Sequence, residues 1–359
     1  MADGLVIAAP RSGSGKTVVT LGLLAALRQR GVVVAPAKTG PDYIDPTFLA
    51  RAALRDAVNL DPWAMTPRRL KELAGLQATG ADLLLVEGVM GLFDGAADNT
   101  GSTADLAAIL DLPVVLVVDA ERQSQSVAAL IAGFARWRTD VRVGGVILNR
   151  VASTRHERML SEAVAQTGVA LLGALPRKPD MVLPERHLGL VLPGEVDGFD
   201  PFLAAAAGAV GDYVDLDALR HLASPLPEAG GSTAPLPPLG QHIAIASDAA
   251  FAFVYPHLLD GWRALGATLS FFSPLADQAP DPAADAIFLP GGYPELHGAQ
   301  LATAGAFKAA LVAARDRGAL IYGECGGFMV LGEAIVDKGG GSHAMAGLLP
   351  VTTRIDRPR

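Results

Sequence analysis

The stretch "APRSGSGKTVVTLGL", residues 9–23, decides the fold of the first half of this 359-residue chain. It follows the apolar run "LVIAA" at 5–9 and opens the amphipathic pattern of 17–31. A buried strand, a glycine-rich loop and a helix, in this order, place phosphate oxygens at a helix N-terminus. The sequence therefore predicts an α/β domain that binds a nucleotide.

The loop itself carries the groups that a triphosphate requires. Gly13, Ser14 and Gly15 allow a tight backbone path whose amides bind anionic oxygens. Lys16 is predicted to reach the β- and γ-phosphates, and Thr17 to ligate Mg²⁺. Proline stands at position 10, where the strict pattern has its first glycine. The loop is therefore a deviant P-loop, with ATP and Mg²⁺ as its predicted ligands.

Apolar runs of strand length alternate with helical patterns along the first half of the chain. Near-continuous Val, Leu and Ile runs are typical of parallel strands that are buried on both faces. The alternation predicts a doubly wound α/β sheet. The runs lie at 5–9, 32–37, 83–88, 114–120 and 144–150, and the helical patterns at 17–31 and 124–137.

A change of composition divides the chain. Pro, Gly and Ser replace the periodic pattern at 223–240, which predicts an exposed linker. We expect one domain at 1–222 and a second α/β domain at 241–359. The strand-like runs of the second domain lie at 242–248, 267–274, 286–292 and 319–327.

The composition excludes several classes of protein. With 29 Lys and Arg against 37 Asp and Glu, the net charge is −8. The chain therefore lacks the excess positive charge that is typical of proteins that bind nucleic acids. No apolar run reaches membrane-spanning length and no signal peptide precedes the first strand, so we expect a cytoplasmic protein without a membrane partner. The only cysteine, Cys325, excludes an internal disulfide and a thiolate metal site.

Acidic residues follow the predicted strands, and parallel sheets bind their ligands at the carboxyl ends of strands. Glu87 ends the run at 83–88, and Asp42 and Asp45 follow the run at 32–37. Mg²⁺ prefers one or two carboxylates together with phosphates and water, so Glu87 with either aspartate beside the loop threonine predicts a magnesium site. A helix cap or a turn remains the alternative for each aspartate.

Two further polar segments are less specific. Asn149 ends the run at 144–150, and its amide has the donor and the acceptor that would pair with the edge of a nucleotide base. Arg186 and His187 lie in "LPERHLGL" at 183–190, where a solvated loop is an equal alternative.

Cys325 lies in "ALIYGECGGFMV", residues 319–330, between an apolar run and a helical pattern. Small neighbours allow a strained turn that exposes a side chain at a helix N-terminus, as in a nucleophile elbow. Upstream, Gly291 and Gly292 end another apolar run and offer backbone amides to an oxyanion. A cysteine that only packs in the hydrophobic core does not need glycine on both sides, so we interpret Cys325 as a nucleophile.

Five motifs occur in a fixed order along the whole chain: "KTGPDYIDP", "VEGVMGLFDGA", "LPERHLGLV", "FLPGGYPELH" and "YGECGGFMVLGE". Together they resemble the cobyrinic acid a,c-diamide synthase family, most closely its hydrogenobyrinic acid a,c-diamide synthases. The first half alone resembles dethiobiotin synthetase and the partition ATPases. The second half alone resembles the class I glutamine amidotransferases.

The resemblance implies a carbon–nitrogen ligase with two sites. Cys325 would attack the amide of glutamine, while the amides of Gly291, Gly292 and Gly326 hold the oxyanion. ATP would activate the a and c carboxylates of a corrinoid as acyl phosphates, which ammonia then displaces. Metal-free and cobalt-containing corrinoids remain open as substrates, as does the oligomeric state, a homodimer included.

The resemblance also assigns residues to the synthetase centre. It implies Asp45 and Asp94 as catalytic residues and Asp42 and Glu87 as neighbours of the metal. Because a corrinoid polycarboxylate needs a local positive charge, basic residues join the substrate side. The residues expected at the substrate are Asp42, Tyr43, Arg186 and His187, with Lys38 and Arg150 completing a positive patch.

In the family the histidine that activates the cysteine lies beyond "AGLLPVTTRIDRPR". His343, in the glycine-rich "KGGGSHAM", and His297 are poor candidates for this base. We therefore expect a truncated glutaminase domain, with weak or absent use of glutamine and better retained use of ammonia.

Two other functions are compatible with the first half. One is a partition-type ATPase switch, in which the nucleotide drives dimerisation. The other is a dethiobiotin-synthetase-like enzyme with a silent second domain. Neither explains the cysteine elbow.

Overall fold

The computed structural model describes residues 2–178 and 198–355 and contains two compact units, Met1–Thr233 and Ala234–Arg359. The strands of unit 1 are β1 (Asp3–Ala8), β2 (Val34–Thr39), β3 (Val58–Leu60), β4 (Leu83–Glu87), β5 (Val114–Asp119), β6 (Val143–Val151), β7 (Ala170–Pro176) and β8 (Ser224–Pro225). Its helices are α1 (Lys16–Gln29), α2 (Asp45–Ala53), α3 (Pro67–Gln77), α4 (Thr103–Leu110), α5 (Ser126–Trp137), α6 (Thr154–Ala165), α7 (Phe199–Tyr213) and α8 (Leu216–Leu222).

The strands of unit 1 form a parallel sheet in the order β3-β2-β4-β1-β5-β6-β7, with β8 antiparallel to β1. The first strand of the chain lies between β4 and β5. The strand order therefore reverses beside β1, and in such sheets the crevice at the reversal is where ligands bind. The loop after β1 opens into this crevice.

The sheet is buried on both faces, as its apolar runs predict. Val6, Leu84 and Leu116 belong to one apolar cluster with residues of α3 to α6. Each such buried side chain contributes about 1.5–3 kcal/mol to stability. Helix α1 contacts α7, where a Cβ added at Gly22 would lie 2.7 Å from Val210 Cγ2. The helix pair therefore depends on a glycine at its crossing point.

Unit 2 contains a second parallel sheet in the order β10-β9-β11-β12 and a small sheet in the order β14-β13-β15. The strands are β9 (His242–Ala246), β10 (Thr268–Phe272), β11 (Ala286–Leu289), β12 (Leu320–Gly323), β13 (Ala334–Val336), β14 (Ser342–Ala344) and β15 (Thr352–Arg354). The helices are α9 (Pro256–Ala264), α10 (Gly298–Thr303), α11 (Gly305–Asp316) and α12 (Gly326–Leu331).

The predicted doubly wound α/β fold is confirmed, and each predicted strand is present with ends shifted by a few residues. The boundary between the two units falls after Thr233, inside the segment 223–240 that the sequence predicts as a linker. The first part of that segment packs on unit 1, because β8 pairs with β1 and Arg68 donates to the carbonyl of Ser232. None of the helices in the described ranges is long and apolar enough to cross a membrane.

Candidate active site

The predicted phosphate loop connects β1 to α1. Gly13 and Gly15 have φ angles of 79° and 83°, a left-handed conformation that glycine adopts without steric cost. Gly15 is the N-cap of α1, and no side chain caps the helix. The free N–H groups of the first turn are therefore available to an anion, as phosphate binding requires.

Two consecutive residues at the end of β6 hold this loop. Asn149 Nδ2 donates to the Ser14 carbonyl at 3.0 Å, and Arg150 NH1 donates to the Gly13 carbonyl at 3.0 Å. The Arg150 guanidinium also contacts Asp119 Oδ2 at 2.6 Å. Asn149 therefore lies at the nucleotide loop, but here its amide binds the loop backbone; pairing with a base stays a prediction.

Five side chains and one carbonyl form a charged cluster beside the loop. Glu87 Oε1 accepts hydrogen bonds from Thr17 Oγ1 at 2.8 Å, Lys38 Nζ at 2.9 Å and Lys16 Nζ at 3.1 Å. Lys38 Nζ also donates to Asp45 Oδ2 at 2.7 Å. Both ammonium groups contact the carbonyl of Gly88. The structure thus brings together four of the predicted nucleotide, metal and catalytic residues, Lys16, Thr17, Asp45 and Glu87.

Burial and pairing compete within this cluster. Burial would raise the pKa of Glu87, but the charges of Lys16 and Lys38 outweigh burial and lower it, so the carboxylate is ionised. Burial lowers the pKa of Lys16 more than Glu87 raises it. For Lys38 the carboxylates of Glu87 and Asp45 overcome burial, and the pKa lies above the ordinary lysine value. Of the two lysines, Lys38 is therefore the more firmly charged.

The remaining predicted acidic residues have local roles. Asp42 Oδ1 accepts from the backbone N–H groups of Ile44 and Asp45 at 2.8 and 3.0 Å, as a turn-forming aspartate does. Burial, with the Asp45 charge, raises the pKa of Asp42. Asp94 Oδ2 accepts from the Gly91 N–H at 2.9 Å within the loop after β4. Tyr43 is half-buried beside Asp42.

The geometry fits a magnesium ion held by Thr17 and Glu87. Glu87 is 0% exposed, and its second oxygen, Oε2, has no hydrogen-bond partner within the described chain. Such a buried oxygen needs a ligand, and Mg²⁺ accepts one carboxylate with a hydroxyl, phosphates and water. Within the residues that the structure describes, no group of three His, Cys, Asp or Glu residues could hold a metal. Asp42 as a third ligand stays a prediction.

In unit 2, Cys325 lies at the turn between β12 and α12. Its φ and ψ angles of 48° and −114° are rare for a residue with a side chain, and its side chain is exposed. This is the strained, exposed turn that the sequence predicts for a nucleophile. Backbone strain at a reactive residue is a feature that the surrounding packing must maintain.

The three predicted oxyanion glycines surround this turn. A Cβ added at Gly291 would lie 3.1 Å from Cys325 Cβ, and one at Gly326 would lie 3.1 Å from the backbone nitrogen of Gly292. In the described part of the chain, the N–H groups of Gly292 and Gly326 donate to no acceptor. Two free amides beside a thiol are what an oxyanion hole requires.

Neither predicted weak candidate for the base contacts the thiol. His343 Nε2 contacts Asp337 Oδ2 at 2.7 Å in the β13–β14 hairpin. His297 precedes α10 as its N-cap. Among the described residues, the Cys325 thiol has no hydrogen-bond partner, which leaves the identity of its base a prediction.

Comparison with known proteins finds a matching family for each half of the chain. Residues 5–191 match the family model of the CobQ/CobB/MinD/ParA nucleotide binding domain, and residues 242–359 match the CobB/CobQ-like glutamine amidotransferase domain. Hydrogenobyrinate a,c-diamide synthase of Brucella abortus is 56% identical over 357 residues, which cover 99% of this chain and 82% of that protein. The chain belongs to the hydrogenobyrinate a,c-diamide synthase family.

Other members of the hydrogenobyrinate a,c-diamide synthase family are similarly close. The Rhizobium meliloti protein is 56% identical over 351 residues, covering 98% of this chain and 82% of its own. The Rhodobacter capsulatus protein is 53% identical over 360 residues, covering 99% of this chain and 82% of its own. The resemblance inferred from the five motifs is thereby confirmed.

The positive patch expected at the substrate stays a prediction. Lys38 is 1% exposed and is bound by two carboxylates, so its charge is already paired within the protein. Arg150 is half-exposed but is paired with Asp119. Arg186 and His187 lie outside the described residues.

The pairing of Lys38 with Glu87 was not predicted from the sequence. The signal was present, because each residue lies at the end of an apolar run, and β2 and β4 place them directly opposite each other. Nor was Asp119 at the end of β5, which both Arg150 and Arg11 approach, predicted as a site residue. Such partners become visible only when the strand order is known.

Proposed function

We propose that this protein amidates the a and c carboxylates of hydrogenobyrinic acid, or of cobyrinic acid, with ATP and with nitrogen from glutamine or ammonia. This makes it a carbon–nitrogen ligase of cobalamin biosynthesis. The observation that carries the proposal is the pair of sites, a P-loop with its carboxylate cluster and a thiol elbow, in a chain 56% identical to named synthases.

At the P-loop, the reaction must convert a poor electrophile into a good one. A substrate carboxylate oxygen attacks the γ-phosphorus of ATP, which forms an acyl phosphate and releases ADP. Lys16 neutralises the oxygens of the transferred group, and the α1 N-terminus holds the phosphates. Mg²⁺, held by Thr17 and Glu87, supplies charge neutralisation when it is bound.

Ammonia then attacks the acyl carbon, and phosphate leaves with the bonding electrons. The attacking nitrogen must lose a proton, and the carboxylate cluster provides acceptors for it. The Asp45 side chain is 13% exposed and lies at the N-terminus of α2. We infer that Asp45 contacts the reacting groups, and that Asp94, exposed on the loop after β4, lies on the substrate side.

At the thiol site, the Cys325 sulfur attacks the side-chain amide carbon of glutamine. The tetrahedral oxyanion is held by the free amides of Gly292 and Gly326. Collapse expels ammonia, with the proton lost by the thiol transferred to the departing nitrogen, and leaves a thioester, which water hydrolyses to glutamate and the free thiol. The turn exposes the Cys325 side chain, and the backbones of Gly291, Gly292 and Gly326 lie close to it, which favours such a reaction.

Amide formation can be tested directly with ammonia as the nitrogen source. The protein with ATP and Mg²⁺ is offered hydrogenobyrinic acid, cobyrinic acid or no corrinoid, and the products are identified by mass. We expect ATP consumption matched by one amide per ATP, with a preference between the two acids. Lys16→Ala is the matched inactive control. ATP hydrolysis that ignores both corrinoids would contradict the proposal and favour an ATPase switch.

A further inference from the structure

Lys38 is a buried lysine to which the proposed reaction assigns no role. It lies in β2 opposite Glu87 of β4, so the two side chains project from the same face of the sheet. Its ammonium has three acceptors, Asp45 Oδ2 at 2.7 Å, Glu87 Oε1 at 2.9 Å and the Gly88 carbonyl at 3.2 Å. An ammonium has three N–H donors, so none remains for a ligand.

Lys16 differs from Lys38 in each of these respects. Its side chain is 11% exposed, against 2% for Lys38. Among the described residues it donates to two acceptors, Glu87 Oε1 and the Gly88 carbonyl, which leaves one N–H for a ligand. Lys16 also follows the two left-handed glycines of the loop. Lys16 is therefore the cation that can turn toward a phosphate, while Lys38 remains in place.

The three groups that Lys38 joins come from different parts of the fold. Asp45 is the first residue of α2, Glu87 is the last residue of β4, and Gly88 begins the following loop. Without a cation between them, the buried carboxylate of Glu87 and the partly buried carboxylate of Asp45 would repel each other and separate. A displacement of about 1 Å at a reacting centre costs about 100-fold in rate. The position of Asp45 relative to Glu87 therefore depends on Lys38.

We propose that Lys38 is a positioning residue, which holds Asp45 and Glu87 at the separation needed for the amidation step and touches neither nucleotide nor corrinoid. The inference rests on the proposed function, because it concerns that same site. It predicts a specific kinetic signature. Loss of Lys38 lowers kcat, whereas ATP affinity, which depends on the loop amides and Lys16, is retained.

Two variants test this with ammonia and hydrogenobyrinic acid as substrates. Lys38→Met removes the charge, and Lys38→Arg keeps the charge but replaces a compact ammonium with a planar fork. We expect kcat to fall about 100-fold in the first and about 10-fold in the second, with the Kd for ATP changed less than about 3-fold in calorimetry. Lys338→Met, at an exposed lysine of unit 2, is the control.

A double variant tests whether Lys38 acts through Asp45. If Lys38 acts through Asp45, the double variant Lys38→Met/Asp45→Asn loses less than the product of the two single losses. Multiplicative losses would overturn the inference. So would a Kd for ATP that rises in proportion to the loss of kcat, since Lys38 would then contact the nucleotide.

The Lys38 variants and the unmodified protein together distinguish a folding defect from a loss of function. If Lys38→Met does not fold, Lys38→Arg decides: a wild-type kcat would mean that any buried cation suffices, and the positioning role would be refuted. If the unmodified protein forms no amide from either corrinoid, the proposed function itself fails. An active unmodified protein with unaffected Lys38 variants would refute only the role of Lys38.

Discussion

Asn149 Nδ2 donates a hydrogen bond to the Ser14 carbonyl at 3.0 Å, and this bond ties the end of β6 to the phosphate loop. The next residue, Arg150, makes the equivalent bond to the preceding carbonyl, Gly13. The two bonds orient consecutive carbonyls toward β6. They therefore favour a loop conformation whose amides remain free for phosphate.

Removing the first of these bonds is expected to weaken nucleotide binding. In Asn149→Ala, we expect the Kd for ATP to rise about 3- to 10-fold, because a net hydrogen bond contributes about 0.5–1.5 kcal/mol. Calorimetric titration with ATP measures the change. Gln166→Ala, at an exposed residue after α6, provides the control. An unchanged Kd in Asn149→Ala would show that the loop holds its conformation alone.

Cys325 is expected to react selectively with an electrophilic analogue of glutamine. The exposed thiol at the strained turn forms a covalent adduct, which mass spectrometry locates on the peptide containing residue 325. Cys325→Ser should form no adduct, while its ammonia-dependent kcat stays within about 2-fold of the unmodified protein, because ammonia does not need the thiol. Loss of the ammonia reaction in Cys325→Ser would contradict the proposal that amide formation and glutamine hydrolysis occur at two separate sites.

The elbow also depends on a close backbone approach at Gly327. A Cβ added there would overlap the carbonyl of Leu289 in β11. Gly327→Ala should therefore lower the free energy of unfolding of unit 2 by about 1–3 kcal/mol. Gly305→Ala is the matched control, since a Cβ at the start of α11 meets no atom within 4 Å, and should be neutral or stabilising by up to about 1 kcal/mol. Denaturant titration distinguishes the two.

The contacts of Glu72 predict that residues 226–233, just before the boundary between the two units, are held less firmly at low pH. Burial opposes its ionisation, but hydrogen bonds from Ser232, Thr233 and Arg69 lower the pKa of Glu72 from 4.5 to about 2. A lowered carboxyl pKa means that the unfolded state binds more protons. The stabilisation is therefore complete above pH 4.5 and is lost as the pH falls toward about 2.

Proteolysis of residues 226–233 measures this effect. Cleavage should increase as the pH is lowered through the window, with an acid-active protease. In Glu72→Gln, cleavage should be faster at neutral pH and less dependent on pH. Equal cleavage of both proteins at every pH would mean that the contacts of Glu72 do not hold the segment.

Much of the fold follows from local sequence. Strands β1, β4 and β5 are apolar on both faces, so their runs identify them as parallel and buried without any partner being known. The P-loop glycines and the glycines beside Cys325 are likewise local signals, because left-handed backbone and close approach require them. The site residues on these segments, Lys16, Thr17, Glu87 and Cys325, were identified for this reason.

Contacts between residues on different strands and loops could not be predicted from local sequence. Lys38 was expected in a positive patch at the corrinoid because a polycarboxylate ligand needs local positive charge, yet its ammonium binds Asp45 and Glu87 here. Asn149 was expected at a base because its free amide has a donor and an acceptor, yet the amide binds the loop backbone here. In both cases the partner is far away in sequence, 49 residues for Glu87 and 135 for Ser14.

The sequence by itself determined the two α/β units, the phosphate loop and the cysteine elbow, because each depends on short-range patterns of apolar residues and glycine. The tertiary structure decided which charges meet. Strand order placed β2 beside β4, so that a lysine and a glutamate from separate segments share one buried pocket. Burial then made their pairing obligatory, since an ion removed from water requires a partner.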